Sequence, residues 1–131
     1  VHIFHQALQK GSYTCFLTED TNLPMMYMPD AIRATINLME APSDNVKIRS
    51  SYNIAGISFN PQEIAKEINK HLPNFNIDYK PDYRQNIADS WPHSIDDRQA
   101  LKHWGWKAEY DLSKMTSDMM ANLKKHYKIN A

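Results

Sequence analysis

Tyr110 and Lys114 stand four residues apart, the spacing that places a lysine beside a phenol on one helix face. A lysine so placed lowers the phenol pKa, and the phenol can then take a proton from an alcohol as hydride leaves. His2 and His5 are three apart and can share a helix face as a nitrogen pair. Cys15 is the single thiol of the chain. Arg84, Ser90 and Trp91 fall in a segment dense in polar and aromatic residues, where Arg84 is the one guanidinium able to pair with an anionic ligand.

Each of these groups has a plainer reading. Asp111 makes a good N-cap, which puts Tyr110 outside the helix and off the face of Lys114, so we expect no catalytic pair here. His2 and His5 lack a third and fourth ligand at a metal-site spacing, so no metal is expected. Nothing basic adjoins Cys15, and a buried cysteine is a small apolar filler. The three glycines, Gly11, Gly56 and Gly105, form no Gly-x-Gly-x-x-Gly, so no cofactor-binding turn is expected within the chain. Trp91 either fills the core or lines a pocket mouth.

The elements that must hold these residues follow from periodicity. Val1 to Lys10 predicts a helix with Ile3, Phe4, Ala7 and Leu8 inward and Gly11 as C-cap. Tyr13 to Leu17 alternates as a strand. Leu23 to Met28 reads as a short strand and a turn, and Pro29 opens a helix. On that helix, Asp30 to Ala41, the wheel groups Ala31, Ile32, Thr35, Ile36, Leu38 and Met39 on an arc expected to be buried. Arg33, Asn37 and Glu40 fall opposite, and the rest of the chain is expected to cover the apolar arc. Tyr52-Asn53-Ile54 reads as a strand in which Asn53 either ties down a turn or shapes a site.

Asn60-Pro61-Gln62-Glu63 is close to a capping box, followed by an inward stripe of Ile64, Ala65, Ile68 and Leu72 up to Pro73. Phe75, Ile77 and Tyr79 alternate with Asn76 and Asp78 as a half-exposed strand. Pro81 to Pro92 has no regular period. Asp96 is placed as the N-cap of a short helix ending at Trp104, with Gly105 at C′ and Trp106 packing back on Leu101. Asp111 then starts a helix lined by Leu112, Met115, Met119 and Leu123.

At 131 residues, with apolar residues at 42% and charged residues at 23%, the composition is that of one globular region. Lys plus Arg and Asp plus Glu are 15 each, so no net charge draws the chain to nucleic acid or an acidic membrane. No apolar run approaches the ~18 residues of a membrane span. A lone cysteine suits a reducing compartment. The opening on Val1 inside a helix, together with the missing glycine-rich turn, leads us to expect part of a longer enzyme.

The strand, acidic turn and Arg33-Ala34-Thr35 helix, followed by Tyr52-Asn53-Ile54, resemble the carboxyl-terminal half of an extended short-chain dehydrogenase. Leu23-Pro24-Met25-Met26-Tyr27, Met39-Glu40-Ala41-Pro42, Ser90-Trp91-Pro92 and Trp104-Gly105-Trp106-Lys107 are similar to words of its NAD-dependent L-threonine 3-dehydrogenase branch. The similarity runs through nearly the whole chain, and Pro29 stands where a second acid is expected. The resemblance implies an α/β fold, with residues 1–131 as a substrate-binding cap: a small mixed sheet with packed helices, the Rossmann-type domain lying upstream. It implies NAD bound by that upstream domain, L-threonine oxidised to 2-amino-3-ketobutyrate, and a homodimeric full-length enzyme, cytoplasmic or mitochondrial. Arg84, Ser90 and Trp91 would then bind substrate. Two other classes stand beside this one: the substrate domain of a nucleotide-sugar epimerase or dehydratase, with Arg84 on a diphosphate, and a non-catalytic module.

Overall fold

The helix ends are set by local chemistry, and a computed structural model describing residues 1–129 shows how. Helix α1 (His2–Lys10) stops where Gly11 takes a left-handed φ of 67°. Strand β1 (Ser12–Cys15) follows, then β2 (Leu23–Met25), helix α2 (Met28–Glu40) and β3 (Ile57–Phe59). Helix α3 (Pro61–His71) opens on a complete capping box: the Asn60 side chain accepts from the Glu63 N–H at 2.9 Å, and the Glu63 carboxylate accepts from the Asn60 N–H at 3.0 Å. Strand β4 (Asn76–Tyr79), short helices α4 (Arg84–Asp89) and α5 (Arg98–Trp104), and α6 (Leu112–Tyr127) complete the order. Asp111 caps α6 through the Lys114 N–H at 2.7 Å.

Helix α5 ends on Gly105 at φ 77°, with the Gly105 N–H on the Leu101 carbonyl and the Trp106 N–H on that of Ala100. That ending is the one read from the sequence, with two corrections. The N-cap is Asp97, because the Asp96 carboxylate is taken by the backbone and guanidinium of Arg98. Trp106 packs with Ala100 and Ala34 rather than on Leu101, which is exposed.

Parallel and antiparallel pairing both occur, in separate two-stranded sheets: β1 runs parallel to β4, and β2 antiparallel to β3. Tyr52-Asn53-Ile54 is not a strand. Two residues separate it from β3, and it is fixed by side chains: the Ile48 N–H donates to the Tyr52 hydroxyl, which faces His103 Nδ1 at 2.8 Å. Asn53 is exposed and needs no buried partner. Pro81 to Pro92, expected to be irregular, contains α4, a helix too short to show a period.

The largest core joins α1, α3 and α6 through Phe4, Ala7, Ile64, Ala65, Ile68, Phe75, Met115 and Met120. It does not form around α2. On α2 the buried residues are Asp30 and Ala34, while Ile32, Ile36 and Met39 face outward. The wheel was right that the helix is amphipathic and wrong about which arc faces the body.

Candidate functional site

Of the three residues expected to meet a ligand, Arg84 opens helix α4, Ser90 is its C-cap and Trp91 follows it. Asp82 starts it, accepting from the Arg84 N–H at 2.9 Å and clasping the Arg84 guanidinium through both oxygens at 2.5–3.1 Å. The guanidinium holds the Asp82 carboxyl below the usual carboxylate range. The guanidinium carbon also lies 3.5 Å from the Phe16 ring centroid. Ser90 spends its hydroxyl on the last turn, donating to the Ile87 carbonyl at 2.7 Å. Trp91 is 53% exposed, which removes the core reading of this indole. Tyr83 before the helix, Ile87 on it and Trp91 after it are all exposed. The structure thus leaves Trp91 exposed, while Arg84 turns to Asp82 and Phe16 and Ser90 is used locally.

Gln85 mounts this helix on the body. Its carbonyl accepts from the Thr18 N–H at 2.9 Å, and its amide donates to Thr21 Oγ1 at 3.0 Å and Asp89 Oδ1 at 2.6 Å. Nothing in the local pattern singles it out, since Thr18 lies 67 residues away in the chain.

A second polar centre sits at the start of α2. Asp30 is 1% exposed, and its carboxylate accepts from Arg33 at 2.7 Å, from the Glu109 N–H at 3.1 Å and from the Tyr110 N–H at 3.0 Å. Burial pushes its carboxyl up, but the hydrogen bonds from Arg33, Glu109 and Tyr110 outweigh it and hold the pKa below the ordinary value. Arg33 also donates to the Lys107 carbonyl at 2.6 Å and lies over the Trp106 ring at 4.7 Å. The Trp106 indole donates to the Ala55 carbonyl at 3.1 Å. One acid therefore ties α2 to the Trp-Gly-Trp segment, with Pro29 exposed beside it. The i, i+3 pairing of Asp30 with Arg33 is the only part of this visible in sequence.

Tyr110 lies outside α6, as expected, but Lys114 is not off its face. The ammonium folds back 4.4 Å above the Tyr110 ring and donates to the Glu109 carbonyl at 3.2 Å. That ring also meets Tyr27 edge-on at 4.8 Å between centroids. Tyr27 donates to Asp118 at 2.6 Å, and burial, with that bond and the nearby negative charge, pushes its phenol up to about 12. This is an aromatic clamp between α2 and α6, with the cation on the ring face rather than at the phenol oxygen.

His5 Nδ1 lies 2.7 Å from the Tyr127 hydroxyl, joining α1 to α6, and His2 Nε2 lies 3.3 Å from the Gln6 amide nitrogen. Among the described residues no three of His, Cys, Asp or Glu converge as metal ligands. Burial raises the pKa of Cys15, a setting for packing rather than reactivity. The glycines do not fit a dinucleotide: Gly11 and Gly105 are helix caps, and a Cβ at Gly56 would stand 2.6 Å from the Met25 carbonyl oxygen. Gly56 instead allows β2 and the segment before β3 to touch, beside an open apolar cleft of about 360 Å³ lined by Met25, Met26, Ile54 and Ile95.

No family model matches the chain. Over 121 residues it is 47% identical to mitochondrial L-threonine 3-dehydrogenase of Bos taurus, covering 92% of this chain and 32% of the relative. It is 49% identical to an uncharacterised epimerase/dehydratase of Staphylococcus haemolyticus, covering 92% of this chain and 38% of that protein. The solved apo structure of a GalE-like L-threonine dehydrogenase from Cupriavidus necator superposes with a TM-score of 0.91 at 62% identity, over 95% of this chain and 45% of that one. The chain is similar to the carboxyl-terminal part of these enzymes, and spans about a third of the length of the curated relatives it matches.

Proposed function

We propose that this chain serves as the substrate-side, carboxyl-terminal part of an NAD-dependent L-threonine 3-dehydrogenase. The observation that carries the reading is the 62% identity and shared fold over nearly all of the chain with the Cupriavidus necator enzyme. NAD in this reading is held by an upstream Rossmann-type part, since no glycine here cradles a phosphate. We assign no catalytic acid, base or metal to the chain itself. Its share is to shape and close the substrate cleft.

Within that share, Trp91, Ser90 and Arg84 line the mouth of the pocket. An exposed, proline-followed indole at the end of α4 is placed to exclude water from a closing site. Arg84 pairs with the substrate carboxylate by exchanging it for Asp82. Exposed ion pairs contribute little to stability, so a second carboxylate can compete for the same guanidinium. Ser90 holds the turn that presents Trp91. The lone thiol suits a reducing compartment, the cytoplasm or, as for the mitochondrial relatives, the mitochondrion.

The test joins this chain to the nucleotide-binding part of the Cupriavidus necator enzyme and measures L-threonine oxidation with NAD. The expected result is activity that Trp91→Ala lowers at least tenfold in kcat/KM, about 1.4 kcal/mol of transition-state stabilisation, with an unchanged melting temperature. A folded fusion inert toward L-threonine but active on a nucleotide sugar would replace the reading with an epimerase or dehydratase.

A further inference from the structure

Positive charge is not spread evenly over this chain. Lys plus Arg and Asp plus Glu are 15 each, yet Lys124, Lys125 and Lys128 all line one open cleft of about 640 Å³ between the end of α3 and the last turns of α6. Among the described residues no carboxylate lies within ion-pair distance of any of the three. Lys70, by contrast, is already paired with Glu67 at 2.6 Å. His71 Nε2 and Ser117 Oγ, 3.3 Å apart, add a ring nitrogen and a hydroxyl to the same cleft. Met120, which is buried, and Ile129, which is exposed, give it apolar surface.

Lysines at a helix C-terminus ordinarily offset the dipole, so the charges must be counted before a ligand is invoked. Each helix end carries roughly half a negative charge, about one for α3 and α6 together, and three ammonium groups exceed that by about two. The α6 carbonyls that would repel an anion are also occupied. That of Lys125 accepts from the Lys128 N–H at 3.1 Å, and that of Lys124 from the Ile129 N–H at 3.0 Å. Lys128 makes this ending at φ 53°, a left-handed position that favours glycine. A glycine there would leave the cleft with two cations instead of three.

From this balance we propose that the cleft between α3 and α6 binds an organic phosphate monoester. Such a group carries about −1.5 to −2 at pH 7, which matches the surplus. Its oxygens accept from the lysine ammonium groups, from the Ser117 hydroxyl and from the His71 ring. The apolar side of the cleft receives the organic body. Its volume falls within the ~300–1,000 Å³ of small-ligand pockets, and three lysines are too few for the phosphate runs that hold nucleic acid. The site shares no residue with Arg84, Ser90 and Trp91, so it stands independently of the function proposed above.

Phenyl phosphate is the probe, because it joins a dianionic ester to an apolar ring. Isothermal titration calorimetry is run at about pH 7.5 and ~0.15 M salt, where loose surface attraction is screened. It measures binding to the chain alone and to the chain joined to the nucleotide-binding part of the Cupriavidus necator enzyme, with NAD saturating. The joined protein gives the answer where circular dichroism shows the chain alone to be unfolded. The expected result is one site with a Kd tighter than about 1 mM, with inorganic phosphate about tenfold weaker or more. Lys125→Gln with Lys128→Gln should weaken phenyl phosphate about tenfold or more at an unchanged melting temperature, both residues being exposed. The paired Arg substitutions should keep the binding, as should Lys47→Gln, an exposed lysine outside the cleft. No binding at ~10 mM phenyl phosphate to folded protein, or binding that the double Gln variant retains, would overturn the site. Inorganic phosphate bound as tightly as the ester would remove the organic body and overturn the assignment.

Discussion

Asp30→Asn is the sharpest test of what holds α2 in place. The substitution keeps the shape of the side chain and removes the charge. An amide oxygen can still accept one N–H, but its NH2 then faces a second donor from Glu109 or Tyr110. Arg33, whose side chain is 28% exposed, loses its nearest carboxylate. Breaking a fully buried pair costs about 3–5 kcal/mol, and the partial exposure of Arg33 brings the expectation down to ~2–4 kcal/mol. Against a typical domain stability of ~5–15 kcal/mol that is a large loss, read as a lower midpoint in urea at pH 7. The pH dependence has a definite sign. The folded carboxyl titrates below the ordinary ~3.9, so its contribution is complete above that value and is lost as pH falls through the depressed folded pKa. Wild type and Asp30→Asn should therefore differ by a constant amount from pH 8 to about 5 and converge only below about 4. A loss no larger than the ~1 kcal/mol expected for removing the Asp111 cap, or a difference that persists unchanged to pH 3, would refute the clamp.

Two further stability measurements on this chain check the packing. Gly56→Ala places a Cβ 2.6 Å from the Met25 carbonyl oxygen and 3.0 Å from the Met26 Cα, and should cost about 1–3 kcal/mol as β2 and β3 are forced apart. Trp106→Ala should cost about 3–5 kcal/mol in chemical denaturation, while Ile36→Ala, half exposed, should cost less than about 1 kcal/mol; the reverse order would restore the wheel reading of α2.

What was legible in the sequence is what local chemistry decides. The capping box at Asn60, the glycine ends at Gly11 and Gly105 and the Asp111 cap involve residues within a few positions of one another, and each stands as read. The inward stripes of α1 and α3 were legible because both helices have one apolar and one polar side. The orientation of α2 was not, because its carboxylate partners lie about 80 residues downstream and an apolar arc by itself does not say what will cover it. β3 is three residues long and α4 six, too short for either period to register. At the candidate site, the sequence left Trp91 either in the core or at a pocket mouth, and its exposure, the grip of Asp82 on Arg84 and the mounting of α4 by Gln85 depend on side-chain geometry that spacing does not encode.

The two faces of α2 are one design viewed from opposite sides. A helix whose only inward preference was apolar would turn its isoleucines to the body and leave Asp30 and Arg33 in water. The backbone N–H groups of Glu109 and Tyr110 make that rotation costly, because they would lose a charged acceptor in a buried place. The acid therefore fixes the helix by its polar side and holds the stripe of Met28, Ile32, Ile36 and Met39 outward. The same segment that supplies those N–H groups carries Trp106, whose indole bonds Ala55 next to the cleft at Gly56. Hydrogen bonds thus join α2 to the backbone beside that cleft by a short path: helix, carboxylate, Trp-Gly-Trp segment and the backbone preceding β3. Helix α4, mounted separately through Gln85 on the Thr18–Thr21 turn, lies off this path. Trp91, just past the end of α4, therefore rests on a mount of its own, separate from the bonds that fix α2.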